Sequence, residues 1–287
     1  MFGLLTSLGI KYHIYADDIA LFIEIDMESF NEKLDFAAYV FDQIRLMLST
    51  LKLKVNSDKK QCMFVSNDRS SIFPDCINLG NTEIKLTKSL RLLGVIFDNK
   101  MSFSNQVNSV CSSCYFQLKK ISAIRMFIDP DLTKLLIINY VLSRLDYCNS
   151  ILYGIRQFLI IKLQRVQNRA ARLIYLCNKT VSAGPLLSKL HWLTIEKRII
   201  FKIACFMHRI YNGLPIPVYL AEGLTRNDTT RQRENELNTF EIVKTKNSFG
   251  DRSFLTTGRR IWNSLPNGLR MEKSRTVFRK NLKTHLF

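Results

Sequence analysis

Strand-type and helix-type hydrophobic patterns occupy separate parts of this chain, and their order constrains its fold more than any other feature. Up to residue 100, short runs rich in β-branched and aromatic residues surround one amphipathic helix, which apolar residues at three- and four-residue steps predict over 30–51. From Ser102 or Ser104 onward the periodicity becomes helical. Strands segregated from helices predict an α+β fold in which a strand-containing module precedes an all-α one.

The first part of the chain predicts a β-hairpin followed, after the helix, by further strands. The hairpin has strands within Tyr12–Tyr15 and Ile19–Ile25, joined by a turn at Ala16-Asp17-Asp18. A second hairpin is predicted in INLGNTEIKL, with its turn at Gly80-Asn81. The other predicted strands are two short ones, LKVN and QCMFVS, and one buried strand, LRLLGVIFD, which ends at a turn at Asp98-Asn99.

Helices dominate the second part. One starts at Asp129-Pro130, an N-cap residue followed by proline at the first helical position, and another spans roughly Phe158–Leu176. A last helix contains Phe278 and Leu282. Residues 225–247 are polar and lack apolar periodicity, which predicts a loop or linker.

The positive charge of the chain lies entirely in this helical part. The net charge is +18, yet residues 1–100 carry 12 Lys or Arg against 13 Asp or Glu, so the other residues carry 30 against 11. Such an excess favours a polyanionic partner, either nucleic acid or an acidic membrane surface. No secretory signal and no apolar run long enough to cross a membrane is evident, so we expect a cytoplasmic or nuclear protein that does not insert into a membrane.

The Asp17-Asp18 pair is the first candidate site. Two adjacent carboxylates at a hairpin tip repel each other, and a divalent cation relieves the repulsion. Mg²⁺ takes oxygen ligands and often only one or two protein carboxylates, keeping water and phosphate in its other positions. The alternative is an exposed turn with two solvated acids, since Asp is common in turns.

A series of motifs in this order resembles LINE-type retrotransposon reverse transcriptases, in particular the jockey-like elements. YADD at 15–18 is similar to their motif C, Asn56 to Lys59 is similar to the Asn-x-x-Lys of the next palm motif, and LRLLGVIFDNKMSF resembles their primer-grip segment. LSRLDYCNSILYG and LQRVQNRAARLIY resemble the thumb region, and LHWLTIEKRIIFKI, SFGDRSF, IWNSLP and FRKNLKTHLF resemble the C-terminal end.

The resemblance implies three regions: a partial palm over 1–100, a helical thumb-like region over 101–180, and a C-terminal region over 181–287. It implies RNA-directed DNA polymerase activity, with Mg²⁺ as cofactor and an RNA template and a DNA primer as partners. Asp17 and Asp18 would be catalytic Mg²⁺ ligands, and Lys59 would lie near the triphosphate, where a lysine can act as a general acid. The residues implied to lie near the primer or nucleotide are Tyr15, Ala16, Leu93 and Gly94.

The family's earlier palm Asp and its fingers have no counterpart in the 287 residues, so we expect the isolated chain to lack useful polymerase activity. A copy truncated at its 5′ side or an incomplete gene model would each give this architecture. Whether this chain is itself an enzyme therefore stays open at this point. The alternatives are a noncatalytic nucleic-acid-binding remnant or reused module, and an interaction protein whose basic face meets an acidic partner.

A second candidate site is a basic stripe on the helix predicted over Phe158–Leu176. Four cations at steps of three, four and three residues lie beside an apolar stripe, so the helix can pack by one edge and present cations along the other. These cations could follow nucleic-acid phosphates without reading sequence, or they could simply be solvated. The four residues are Lys162, Arg165, Arg169 and Arg172.

Overall fold

A computed structural model divides the chain into two compact units, Met1–Met101 and Ser102–Phe287, next to the boundary expected at residue 100. The structure describes residues 2–26, 28–56, 59–66, 74–79, 82–226, 238–245 and 247–287. Its elements form an α+β protein, with all named strands in unit 1. None of the described helices offers a stretch long and apolar enough to cross a lipid bilayer.

Unit 1 is built from two helices and three antiparallel hairpins, each a separate two-stranded sheet in the described residues. Its elements are α1 (Phe2–Ser7), β1 (Lys11–Tyr15), β2 (Asp18–Phe22), α2 (Phe30–Thr50), β3 (Cys76–Leu79), β4 (Thr82–Lys85), β5 (Ser89–Leu92) and β6 (Val95–Asp98).

The first hairpin packs one face on α2. Strand alternation places Tyr12 and Ile14 of β1, with their partners Leu21 and Ile19 of β2, on the same face. These four side chains pack against a buried cluster that α1 and α2 share. The cluster consists of Leu5, Ile10, Val40 and Ile44. The predicted first hairpin and long helix are therefore confirmed, and this packing fixes the orientation of the turn between β1 and β2.

The later strands of unit 1 correct part of the prediction. Strands β3 and β4 pair as predicted, although their turn residues Gly80 and Asn81 lie outside the described residues. The segments LKVN and QCMFVS are not strands, and Cys62 makes only an isolated bridge to Leu86. The predicted single strand LRLLGVIFD is instead the β5–β6 hairpin, because the chain turns back at Leu93-Gly94.

Unit 2, Ser102–Phe287, contains the rest of the chain. Its helices are α3 (Ser104–Ile124), α4 (Pro130–Ile137), α5 (Ser143–Asp146), α6 (Gln157–Ile174), α7 (Ala183–Lys189), α8 (Ile195–Tyr211), α9 (Val218–Ala221), α10 (Ser248–Asp251), α11 (Phe254–Ser264), α12 (Asn267–Arg270) and α13 (Arg275–Leu286). A π-helical segment, Ile138–Leu142, joins α4 to α5, and 3₁₀ segments span Arg125–Phe127 and Asn149–Leu152.

Helices α3 and α6 run side by side in the same direction. Near their starts, Lys162 of α6 donates to Asn108 of α3 at 3.0 Å. At their ends, the buried Arg125 donates from Nε to the Leu173 carbonyl (3.1 Å) and from Nη2 to the Ile174 carbonyl (2.7 Å). Both carbonyls lie at the end of α6, where the Leu173 carbonyl also accepts from the Leu176 N–H at 3.4 Å, so the Arg125 cation meets the negative end of the helix dipole. At the start of α4, Asp129 caps the helix as predicted.

Helices α8, α11 and α13 enclose an aromatic core around Trp262. Its ring lies 5.1 Å from that of Tyr211 and 6.0 Å from that of Phe278. Phe240 is 1% exposed and pairs its backbone N–H and C=O with the side-chain amide of Asn263. The described residues of the predicted loop, 225–226, 238–245 and 247, form no named helix or strand, but Phe240 within it is buried; residues 227–237 and 246 lie outside the described residues.

Candidate active site and nucleic-acid interface

The acidic hairpin tip is a two-residue turn. Tyr15 pairs with Asp18, which leaves Ala16 and Asp17 as the turn and makes Asp18 the first residue of β2. Ala16 has a φ of 52°, the positive value that tight hairpin turns need at their first central position. Tyr15 and Asp18 lie on the hairpin face opposite α2, and Tyr15 is 63% exposed. The turn therefore holds two exposed carboxylates and a phenol at one end of a packed hairpin.

The tip offers Mg²⁺ part of a site. Asp17 and Asp18 are adjacent carboxylates with exposed side chains, a donor set that suits one hydrated Mg²⁺ ion bound together with a phosphate. A pair of metal ions needs more oxygen ligands than two carboxylates supply. In the described part of the chain, no group of three or more His, Cys, Asp or Glu is placed to hold a metal. The residues present thus fit a single ion and not a two-metal centre.

Lys59 is exposed and follows α2 in the chain. Within the described ranges, no ion pair joins it to Asp17 or Asp18. The neighbouring Lys60 packs on α2, with its Nζ 4.4 Å from the centre of the Phe41 ring. The structure thus brings Tyr15, Ala16 and the two acids together at one turn, without an ion pair to Lys59 in the described residues.

Leu93 and Gly94 form the two-residue turn of the β5–β6 hairpin. Both have positive φ, 47° and 81°, as a type I′ turn requires. Glycine adopts this conformation freely, whereas a leucine there is strained. Strained residues persist where the surrounding structure holds them, and they cluster at functional sites. The segment resembling a primer grip therefore turns at Leu93-Gly94 and is not the interior of a strand.

The four cations of the predicted basic stripe, called the α6 stripe below, differ in their surroundings. Lys162 bonds to Asn108, and Arg172 donates from Nε to the Val181 carbonyl at 2.8 Å. Arg165 and Arg169 are exposed, and their charges act on Tyr115 of α3. Burial raises the pKa of Tyr115, and these two arginines oppose the rise. The exposed part of the stripe is therefore centred on the two middle arginines.

The structure also contains a basic groove that the sequence analysis did not single out. This α8–α13 groove has a volume of about 560 Å³ and is open to solvent. Helix α8 and helix α13 each contribute three cations, while the segments around 138–149 and 191–193 complete the walls. The six cations are Arg198, Lys202, Arg209, Arg275, Arg279 and Lys283.

Helical periodicity explains how these cations gather. On α8, one face carries Ile199, Ile203 and Met207 into the core, and the opposite stripe carries the groove residues at steps of three and four. On α13, the groove cations recur every four residues beside the buried Phe278 and Leu282. Each stripe is visible in the sequence, but nothing in the sequence indicates that the two stripes face each other.

Two groove cations, Arg198 and Arg209, have hydrogen-bond partners, and Arg209 donates to the Pro215 carbonyl. Asp146 accepts from Arg198 through both carboxylate oxygens, with Nε to Oδ1 at 2.7 Å, and so neutralises one of the six cations. Cys205 lies among Arg279, Lys202 and Arg275. Burial raises the pKa of its thiol, and the three positive charges oppose that rise.

Comparisons with known proteins assign no family to this chain. No protein-family model matches it, no curated protein matches it, and no solved structure matches it.

Proposed function

We propose that this chain is the C-terminal part of a LINE-type reverse transcriptase, an RNA-directed DNA polymerase that acts on an RNA template and a DNA primer. The observation that carries the proposal is the tip of the first hairpin. A Tyr-Ala-Asp-Asp sequence forms a two-residue turn, with its strands packed on α2 and its carboxylates exposed. This arrangement gives the motif C resemblance a rigid base from which two acids can reach a bound metal and substrate.

Each residue at the tip has a separate role in this proposal. Asp17 and Asp18 would hold a Mg²⁺ ion, which would neutralise charge on the triphosphate and on the attacking primer end. Tyr15, on the same hairpin face as Asp18, offers a ring and a hydroxyl to the primer end or the incoming nucleotide. Ala16 adds no side-chain bulk beyond Cβ, so the backbone of the turn stays open to the substrate. Leu93 and Gly94 position the primer from the β5–β6 turn.

Catalysis in this proposal needs the complete polymerase. Positioning two metal ions requires a further carboxylate, which the resemblance assigns to an earlier palm strand. The 287 residues alone are therefore expected to bind a primed template without extending the primer.

The direct test is primer extension by the purified chain on a primed RNA template with Mg²⁺. We expect no extension by the chain or by its Asp17→Ala variant. If the chain does extend the primer and Asp17→Ala abolishes extension, the polymerase class stands and the claim of an incomplete site is wrong. Extension that is equal in both proteins would mean that Asp17 is not a metal ligand.

The charge of unit 2 favours a second candidate function, a noncatalytic nucleic-acid-binding module. Arg165 and Arg169 stand exposed on the α6 stripe, one turn apart, as contacts to successive phosphates require. Removing these two charges should lower the slope of log K against log salt by about 2 for a primer–template duplex. Arg165→Gln/Arg169→Gln makes this change, and Lys179→Gln/Lys280→Gln, which removes two exposed charges off the stripe, is its matched control. Equal slopes for both pairs would contradict a specific role for the stripe.

A further inference from the structure

We propose that the α8–α13 groove binds a single-stranded segment of nucleic acid, with its cations on the phosphates and its rings and buried amide on the nucleosides. This surface is distinct from the acidic tip and from the α6 stripe, so it extends the proposed function and does not depend on the identity of the polymerase. All of its lining residues belong to unit 2.

The charge of the groove calls for an anion. Six cations line it against one acid, and that acid is already paired with Arg198. Lys202, Arg275, Arg279 and Lys283 have exposed side chains. Like charges gathered in one concave surface repel one another and concentrate anions there. A strand that carries several spaced phosphates matches two rows of cations better than a ligand with one anionic group does.

The groove also holds features that phosphate alone would not use. The rings of Phe201 and Phe206 line it at half-buried positions, and the Arg279 guanidinium lies 6.0 Å from the centre of the Phe201 ring, so a base stacked on Phe201 would lie beside that cation. Asn149 also lines it and is 3% exposed, and its Oδ1 is a buried acceptor without a hydrogen-bond partner among the described residues. Phosphate oxygens offer such an acceptor nothing, whereas base amino groups and sugar hydroxyls are donors.

Size and access favour a single strand over a duplex. A volume of about 560 Å³ lies in the range that holds a ligand of one or two nucleotides. Bases of a duplex are stacked on each other and present only their edges in the grooves, so they cannot stack on Phe201 or reach Asn149. A single strand can turn its bases inward while its phosphates follow the cations at the rim.

The test measures binding of the full chain to a fluorescent single strand of about ten nucleotides by anisotropy. Arg279→Glu and Lys283→Glu should each weaken binding about tenfold, because each removes a phosphate contact and adds a repulsive charge. Lys280→Glu is the matched control, since Lys280 is exposed on the same helix and does not line the groove. It should change the affinity less than about threefold. Equal losses in all three variants would assign binding to net charge and overturn the proposal.

A second readout uses the unmodified chain. Cys205 lies in the groove wall and is partly accessible, whereas Cys177 is partly accessible in the same unit but does not line the groove. A saturating concentration of single strand should slow the alkylation of Cys205 several-fold and leave the alkylation rate of Cys177 unchanged. Unlabelled duplex or free mononucleotide, at the same nucleotide concentration, should protect Cys205 less. Unchanged alkylation of Cys205, or protection by an acidic peptide as strong as that by the strand, would contradict the proposal. Asp17→Asn should alter neither readout, so failure here is distinct from failure of the polymerase assignment.

Discussion

Arg125 is expected to be the most costly single cation to remove from unit 2. It is 5% exposed and donates to three carbonyls, those of Ile128 (2.9 Å), Leu173 and Ile174. Arg125→Met keeps most of the side-chain volume and removes every donor. A buried carbonyl left without a partner costs about 1–3 kcal/mol, while burying the guanidinium is itself unfavourable and offsets part of the loss. The expected fall in the free energy of unfolding is about 3 kcal/mol.

Urea unfolding followed by tryptophan fluorescence measures this change in one unit. Both tryptophans, Trp192 and Trp262, are buried in unit 2, so the signal does not mix the two units. Lys119→Met, an exposed cation on α3, the helix that Arg125 directly follows, is the control and should change the free energy by less than about 0.5 kcal/mol. A loss for Arg125→Met below about 1 kcal/mol would refute the idea that its hydrogen bonds hold the ends of α3 and α6 together.

Two further changes in unit 2 test its interior. Burial lowers the pKa of His208 below its ordinary 6.5, so the neutral ring is favoured on folding. The contribution of His208 to the free energy of unfolding should be fully present above pH 6.5 and should fall by up to about 1.4 kcal/mol per pH unit below it. Urea unfolding at several pH values should show this loss in the parent and in His285→Gln, but not in His208→Gln. A Cβ on Gly258 would lie 2.4 Å from Sδ of the buried Met207. Gly258→Ala should therefore lower the thermal stability, by about 1–3 kcal/mol, whereas Gly268→Ala, which meets open space, should not.

The sequence predicted correctly those elements whose position follows from the pattern of residues within the element itself. Helix α2 and the first hairpin follow from helical and alternating apolar patterns over short stretches, and α4 starts where Asp129-Pro130 indicates. The β5–β6 hairpin was missed because its turn uses Leu93, a residue that disfavours positive φ, so an apolar run concealed the turn. Phe240 was missed because its burial depends on Asn263 and Trp262, which come later in the chain.

The candidate sites follow the same rule. The acidic tip lies within four consecutive residues, so the sequence was enough to find it. The spacing of the cations indicates the α6 stripe, but it does not indicate that Lys162 and Arg172 have hydrogen-bond partners, because Asn108 and Val181 belong to other segments. The α8–α13 groove joins residues of two helices that are far apart in the chain, and only their packing brings the six cations together.

The central claim, that this hairpin is the catalytic tip of a reverse-transcriptase palm, is tested most directly by transplantation. Residues 1–101 would replace the corresponding segment of an active LINE-type enzyme, and Mg²⁺-dependent extension of a primed RNA template would be measured. We predict an active chimaera that loses about 1,000-fold or more in rate with Asp17→Asn, because a metal ligand is removed, and that keeps its rate with Asp26→Asn, an exposed acid beyond the same hairpin. A folded chimaera without activity, or one whose rate is unchanged by Asp17→Asn, would contradict the claim.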